Sequence, residues 1–236
     1  MKTIGLIGGM SWESSVLYYQ LINRLINKSL GGLHSCKSIL YTVDFEEISQ
    51  LQKKGDWDAM AAMMVEAAQS LEKNGADMVL ICANTMHKVA DQVSQSISVP
   101  LVHIGDAVAE AILDKGFKKV GLLGTKYTME HDFLKNRIKS WGIEILIPKE
   151  EDRQMIHRVI YKELAKGILT QESKKAYLGV IDRLSSQGAQ GVILGCTEIG
   201  LLVQQADSKV TLFDTTVIHA EKAVQEALEA IPANND

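Results

Sequence analysis

Apolar runs alternate with longer amphipathic stretches along the chain. Most of the apolar runs are near-continuous, which is typical of strands buried on both faces of a sheet. We predict strands over Thr3–Ile7, Ser38–Val43, Asp77–Cys82, Leu101–His103, Lys119–Leu123, Ile143–Ile147, Gly191–Leu194 and Thr211–Phe213. Helices are predicted between them, including Asp56–Lys73 and Gln171–Ser186, the second with Thr170 as its N-cap. Strands alternating with helices predict right-handed βαβ units and a mainly parallel sheet.

An internal repeat divides the chain. The segment KTIGLIGG (Lys2–Gly9) matches KKVGLLGT (Lys118–Thr125) at an offset of 116 residues (118 − 2). The segment GADMVLICANT (Gly75–Thr85) matches GAQGVILGCTE (Gly188–Glu198) at an offset of 113 (188 − 75). Similar elements in the same order at nearly the same spacing indicate duplicated α/β halves.

These observations predict the fold class and its division. We expect an α/β protein of two pseudo-symmetric, flavodoxin-like parallel-sheet domains, with a ligand site in the cleft between them. The first half should comprise residues 1–103 and 209–236, and the second half residues 104–208. The final strand and helix, Val210–Ala230, are expected to pack back on the first half.

The composition fits a globular protein in a reducing compartment. The chain of 236 residues is 46% apolar, and its 25 basic and 29 acidic residues give a formal charge of −4. This mild acidity does not provide the excess of positive charge that is typical of proteins that bind nucleic acid or an anionic membrane surface. No apolar run reaches the roughly 18 residues of a membrane span, and the N-terminal run is too short for a signal peptide. We therefore expect a cytoplasmic protein with neither nucleic acid nor membrane as a partner.

One cysteine is a candidate for chemistry. The three cysteines are too few and too widely spaced for a disulfide framework or a zinc site. Cys196 follows a predicted strand, and a thiol at a strand-to-helix turn should have a lowered pKa that favours the thiolate. It is therefore a candidate base or nucleophile, and a small buried side chain is the alternative. A nucleophilic cysteine needs a partner base, and no histidine is adjacent to Cys196 in the sequence. We expect the three histidines that the fold could bring near it to lie in helices or in the core instead: His87, His103 and His219.

The glycine turn at Gly8–Gly9 is not a phosphate-binding motif, because neither GxGxxG nor GxxxxGK[ST] occurs in the chain. Its amides offer a site for a carboxylate ahead of Met10 and Ser11. A plain tight turn is an equal alternative.

Seven segments resemble the aspartate/glutamate racemase family, most of all its bacterial L-aspartate/glutamate-specific branch. They are GLIGGMSWES, VDFEEISQLQKKGDWD, CANTMHKVAD, LLGTKYTME, IYKELAKG, GAQGVILGCTEIGLLV and FDTTVIHAE, and they follow one another in order over essentially the whole length of the chain. The resemblance implies an amino-acid racemase without cofactor or metal, usually a homodimer. In this family two groups, typically cysteines, remove and return the α-proton on opposite faces of the substrate, one from each half.

The chain departs from the family at one of these two positions. The family motif is Cys-Asn-Thr, or Thr-Asn-Thr in the L-specific branch, whereas Ala83 precedes Asn84 and Thr85 here. The repeat agrees, because the offset of 113 makes residue 83 the counterpart of Cys196. Cys82 should point to the opposite face of its strand, into packing, and would take part only if the chain twisted there.

The resemblance also implies substrate contacts. Asn84, Thr85 and Thr197 match residues that hold the α-carboxylate. Lys166 suits a distal carboxylate, and a solvated lysine at a helix end is the alternative. Further residues that match the lining of the cleft or substrate contacts are Met10, Ser11, Gln52, Thr125, Tyr127 and Glu163.

We therefore predict a racemase of aspartate or glutamate in which Cys196 exchanges the α-proton on the face of the L-enantiomer. Turnover should be impaired by Ala83, whose methyl group neither donates nor accepts a proton. One alternative is a single-cysteine decarboxylase of the same superfamily, similar to arylmalonate decarboxylase, since one thiol suffices to protonate a carbanion. The other alternative is a non-catalytic amino-acid-binding protein.

Overall fold

The computed structural model describes residues 1–229 of the chain, which form two compact units. The first unit contains Met1–His103 and the described residues from His219 onward, and the second contains Ile104–Ile218. Each unit is built on one parallel sheet, with three strands in the first and four in the second. The predicted α/β class with two parallel sheets is confirmed.

The sheet of the first unit has the strand order β2-β1-β3. Its strands are β1 (Ile4–Gly8), β2 (Ser38–Thr42) and β3 (Met78–Ile81). Its helices are α1 (Trp12–Leu30), α2 (Phe45–Lys54), α3 (Trp57–Lys73) and α4 (Ala90–Ser96), and a 3-10 turn (Thr85–Val89) precedes α4.

Apolar clusters cover both faces of this sheet. Leu6 and Leu80 pack with Tyr18 and other residues of α1 in one cluster. Ile7 and Ile81 pack with residues of α3 in another cluster. Successive side chains of a strand point to opposite faces, so strands covered on both faces need apolar residues at every position. This explains the near-continuous apolar runs.

The sheet of the second unit has the strand order β5-β4-β6-β7. Its strands are β4 (Lys119–Gly124), β5 (Glu144–Leu146), β6 (Gly191–Gly195) and β7 (Thr211–Asp214). Its helices are α5 (Ile104–Asp114), α6 (Lys126–Glu130), α7 (Asp132–Lys139), α8 (Glu150–Lys162), α9 (Gln171–Ser186) and α10 (Ile199–Leu202). Helix α11 (Thr215–Leu228) begins in this unit. The predicted N-cap of α9 is confirmed, since Thr170 Oγ1 accepts from the N–H of Ser173 at 3.1 Å.

The strand registers support the internal repeat. In the first unit Ile7 pairs with Ile81, and in the second unit Leu123 pairs with Leu194. These two pairs are related by the offsets of 116 and 113 residues found in the sequence. The residues that pair within one sheet are therefore the repeat's equivalents of the residues that pair within the other.

Two expectations about strands are wrong. Thr211–Asp214 pairs with β6, so the final strand completes the second sheet, and the assignment of residues 209–218 to the first half fails. Leu101–His103 forms only a single bridge, Val79 to Leu101. Pro100 has no N–H to extend the ladder, and α5 already begins at Ile104. The expected end of the final helix at Ala230 and the rest of the first-half segment, residues 230–236, lie outside the described residues.

Candidate active site

The candidate residues of the first unit follow β3 at the carboxyl end of its sheet. Cys82 packs in the apolar cluster of α1, whereas Ala83 packs with Met10 and Met86 in the other cluster. Cys82 is fully buried, and burial raises the pKa of its thiol. The prediction that Cys82 faces into packing, away from the side of Ala83, is confirmed.

The candidate residues of the second unit follow β6 at the equivalent edge. The register of β4 and β6 ends with the pair of Gly124 and Gly195, so Cys196 comes next on one strand as Thr125 does on the other. Cys196, Thr197 and Glu198 are all buried, with 8%, 6% and 8% of their surfaces exposed.

A thiol–carboxylate pair lies at this edge. The Cys196 Sγ donates to Oε2 of Glu198 at 2.9 Å. The hydroxyl of Thr197 donates to the same oxygen at 2.7 Å. Hydrogen bonds to a carboxylate are stronger than neutral ones, so Glu198 fixes the direction of the thiol. A buried thiol held by a buried carboxylate has a proton acceptor within direct reach.

The electrostatics of this pair overturn one expectation. The sequence predicted a lowered thiol pKa, but burial raises the pKa of Cys196 well above its usual value, and the negative charge of Glu198 raises it further. The helix that follows, α10, has only four residues. Its amides do not offset these two effects, and the resting group is the protonated thiol.

Aromatic residues adjoin the pair. Burial raises the pKa of Tyr161, and electrostatic interactions with Cys196 and Glu198 raise it further. The Tyr161 hydroxyl is therefore close enough to the pair to interact with it electrostatically. The ring of Tyr161 packs on His157 at 4.8 Å between centroids. Nδ1 of His157 accepts from the backbone N–H of Lys126 at 3.2 Å. Tyr161 therefore interacts with the predicted catalytic thiol, and His157 packs behind its ring.

The glycine turn of the first unit is a tight turn. Gly9 has a φ of +94°, and a Cβ there would collide with the carbonyl oxygen of Val43, so only glycine fits. The Gly9 N–H donates to Ser15 Oγ at 2.8 Å, and the Ser15 hydroxyl donates to the Ser11 carbonyl at 3.1 Å. The Gly9 amide is thus occupied within the turn.

Two predicted site residues are helix caps. Ser11 Oγ accepts from the N–H of Ser14 at 3.3 Å at the start of α1. Thr125 Oγ1 accepts from the N–H of Thr128 at 3.3 Å at the start of α6. Each follows an inner strand of its sheet, β1 or β4, so the next helix of each unit begins with a side-chain cap, although the offset of 116 makes Thr125 the counterpart of Gly9 and not of Ser11.

The remaining predicted residues have separate environments. Gln52 is buried on α2, with its Nε2 4.0 Å from Met86 Sδ. The Glu163 carboxylate accepts from the hydroxyls of Ser173 at 2.6 Å and Thr170 at 3.2 Å, at the start of α9. The exposed Lys166 lies on a 3-10 turn (Leu164–Lys166), and Tyr127 on α6 packs on the ring of His157 at 6.1 Å. None of the contacts described here joins Gln52, Glu163 or Tyr127 to Cys196.

Glu198 is the residue that the sequence analysis missed. The sequence pattern gave this glutamate no role, although it lies in the segment that follows a predicted strand. The signal was its spacing, since a carboxylate two residues after a candidate thiol at a strand end is within reach of that thiol. Glutamate is almost never fully buried without partners, and here it accepts two side-chain donors.

The described residues contain neither a metal-binding cluster nor a helix that could span a membrane. Among residues 1–229, no group of three or more histidine, cysteine, aspartate or glutamate side chains is arranged to hold a metal ion. No helix in the same part of the chain has the length and the apolar character to cross a membrane.

The class of the protein follows from comparison with known families. Residues 7–223 match the family described as Asp/Glu/Hydantoin racemase. The chain belongs to this family, and it is an amino-acid racemase, an isomerase that works without pyridoxal phosphate. The family resemblance predicted from the sequence is confirmed.

Individual relatives span the whole chain. It is 23% identical over 235 residues to the broad specificity amino-acid racemase RacX of Bacillus subtilis (strain 168), covering 95% of this chain and 98% of the relative. A crystal structure from Yersinia pestis, provisionally assigned as an Asp/Glu racemase, is 52% identical with a TM-score of 0.91, covering 97% of this chain and 100% of that chain. An aspartate racemase homologue from Pyrococcus horikoshii OT3 is 38% identical with a TM-score of 0.84, covering 96% and 99%.

Proposed function

We propose that this racemase acts on aspartate or glutamate and that Cys196 exchanges the α-proton of the L-enantiomer. The observation that carries the proposal is the buried hydrogen bond from Cys196 to Glu198 at the carboxyl end of β6. The named relatives include an aspartate racemase homologue, which supports a dicarboxylic substrate.

The pair supplies the proton transfer. Glu198 takes the thiol proton, and the resulting thiolate takes the α-proton from the substrate, leaving a carbanion at Cα. Return of a proton from Cys196 to the same face completes exchange without inversion. Delivery of a proton to the opposite face completes racemisation. The hydrogen-bond length of 2.9 Å lies within the range that general acid–base catalysis uses.

The carboxylates of the substrate need partners. By resemblance to the family, Asn84, Thr85 and Thr197 anchor the α-carboxylate, and Lys166 is a partner for the distal carboxylate. Asn84 and Thr197 are buried, which suits neutral groups that bind a charge away from water. The Glu163 carboxylate is bonded at the start of α9, which favours a supporting role for this residue over direct contact.

The second proton carrier is missing at position 83. Ala83 packs with Met10 and Met86, and Cys82 faces the other cluster with a thiol pKa raised by burial. Neither side chain supplies a proton to the opposite face. We therefore expect exchange of one enantiomer to be much faster than its inversion.

The proposal is tested with protein dialysed against a chelator and treated with hydroxylamine, which traps pyridoxal. The treated protein is incubated with L-aspartate and L-glutamate in deuterated water, and NMR follows loss of the α-proton signal. We expect exchange with at least one of the two, at the rate of untreated protein. Absence of exchange with both, before and after treatment, contradicts the substrate assignment. Loss of exchange on treatment, restored by a metal or by pyridoxal phosphate, contradicts the thiol mechanism.

A further inference from the structure

Three histidines and a tyrosine form a polar cluster in the first unit, which the proposed chemistry does not use. Tyr18, His87 and His219 are buried, and His103 is partly exposed. The Tyr18 hydroxyl lies 2.8 Å from Nδ1 of His219, and Nε2 of His219 lies 2.8 Å from the carbonyl oxygen of Val102. Because a carbonyl only accepts, Nε2 carries the proton and Nδ1 accepts from Tyr18. The His87 ring packs edge-on against His103 and His219, at 4.7 and 5.7 Å between centroids.

His87 holds both peptide groups that flank Asn84. Its Nδ1 lies 2.9 Å from the carbonyl oxygen of Ala83, and since a carbonyl only accepts, Nδ1 donates. Its backbone N–H donates to the carbonyl oxygen of Asn84 at 3.1 Å. The C=O and N–H of one trans peptide group point in opposite directions. These two bonds therefore also set the directions of the N–H groups of Asn84 and Thr85.

The second unit forms the equivalent turn without such a side chain. The offset of 113 makes Gly200 the counterpart of His87 (200 − 87), and a Cβ at Gly200 would collide with the Asp214 carboxylate. Backbone bonds form that turn, including Ile199 N–H to the Cys196 carbonyl at 3.1 Å. The histidine is thus an addition of the first half, not a requirement of the strand-to-helix turn.

We propose that His87 is a positioning residue for substrate binding, which orients the Asn84–Thr85 turn through the carbonyls of Ala83 and Asn84. The inference rests on the proposed function, in which this turn anchors the α-carboxylate. The ring bond is the part that a substitution removes, since the backbone bond of His87 stays in any variant.

The consequence is a change in KM more than in turnover. Binding of the α-carboxylate acts in the ground state and the transition state alike, so weakening it raises KM with little change in the maximal rate. One buried hydrogen bond contributes about 1 kcal/mol, which corresponds to roughly a fivefold change in KM.

Two variants separate the hydrogen bond from the packing. His87→Asn keeps a donor, because Nδ2 of asparagine takes the place of Nδ1, but it removes most of the ring. His87→Leu fills a similar volume and has no donor. The concentration dependence of α-proton exchange in deuterated water gives KM and the maximal rate for each variant. NMR shifts of the Asn84 and Thr85 amides report the turn without any need for activity, and thermal unfolding reports stability.

We expect the Leu variant to raise KM several-fold and to move both amide signals, and the Asn variant to restore both. The inference is overturned if Leu leaves KM and the amide shifts unchanged, or if Asn is as impaired as Leu, which would assign His87 to packing. If the parent exchanges neither aspartate nor glutamate, the proposed function fails. The amide shifts of the two variants then decide the positioning role by themselves.

Discussion

Replacing Glu198 by glutamine removes the charge beside Cys196 and keeps the shape of the side chain. The amide oxygen still accepts from the thiol and from Thr197, but it takes no proton. With an effective dielectric constant of about 20, two unit negative charges at the 2.9 Å separation of Sγ and Oε2 repel by about 6 kcal/mol. The thiolate and the carboxylate therefore do not coexist at rest, and the pair keeps one proton.

Glu198→Gln separates acidity from activity. The pKa of Cys196 should fall, because the charge that raises it is gone while burial remains. Exchange of the α-proton should nevertheless fall by about 10²–10⁴-fold, because the positioned proton acceptor is lost. A thiol that simply needed to be ionised would give the opposite result, a more active variant.

Two assays measure these effects. Iodoacetamide alkylation of the peptide containing Cys196, followed by mass spectrometry across pH, reports ionisation of that thiol alone. NMR in deuterated water reports exchange. Glu198→Asp is the matched control, since it keeps the charge and shortens the reach. Exchange at the parental rate in Glu198→Gln, or a thiol that ionises at higher pH than in the parent, would refute the role of Glu198.

Substitutions at three further positions test other parts of the structure. Ala83→Cys or Ala83→Thr should raise inversion of aspartate, measured by chiral chromatography, by about 10²-fold or more while same-face exchange changes little, and no gain would mean that another group serves the opposite face. Burial, with a smaller electrostatic contribution from His87, lowers the pKa of His219 from 6.5 to about 3, so the unfolded chain takes up a proton first as the pH falls. The contribution of His219 to the free energy of unfolding should thus be fully present above about pH 6.5 and should fall by up to about 1.4 kcal/mol per pH unit toward pH 3. In thermal unfolding, His219→Gln should lose stability less steeply than the parent over this range. An equal dependence on pH in the two proteins would contradict this reasoning. Thr170→Ala should reduce the free energy of unfolding by about 1 kcal/mol in urea titrations, because the N-cap of α9 is lost. An unchanged urea midpoint would show that this cap does not stabilise the protein.

The strands were predictable because both faces of each sheet are covered. Near-continuous apolar runs located β1 through β7 within about two residues, and the repeat predicted the equivalence of the Ile7–Ile81 and Leu123–Leu194 pairs. Which sheet the last strand joins was not predictable from its own residues. Thr211–Asp214 pairs with β6, a choice that depends on tertiary contacts.

The electrostatics of the site were predictable only in part. The sequence placed Cys196 after a strand, which is correct, but the local rule for a thiol at a helix N-terminus gave the wrong direction for its pKa. Burial and the direction of the Glu198 side chain decide that pKa, and both depend on the folded structure. The same holds for His87, whose bond to the Ala83 carbonyl depends on the 3-10 turn between them.

The most direct measurement is α-proton exchange of L-aspartate and L-glutamate in deuterated water by Cys196→Ser. The substitution hardly alters volume but removes the thiol that donates to Glu198. Cys82→Ser is the control, because Cys82 faces the cluster on the opposite side of the sheet. We predict that Cys196→Ser loses exchange with its fold intact by circular dichroism, while a folded Cys82→Ser keeps it. Exchange near the parental rate in Cys196→Ser would contradict the assignment of Cys196 as the catalytic base.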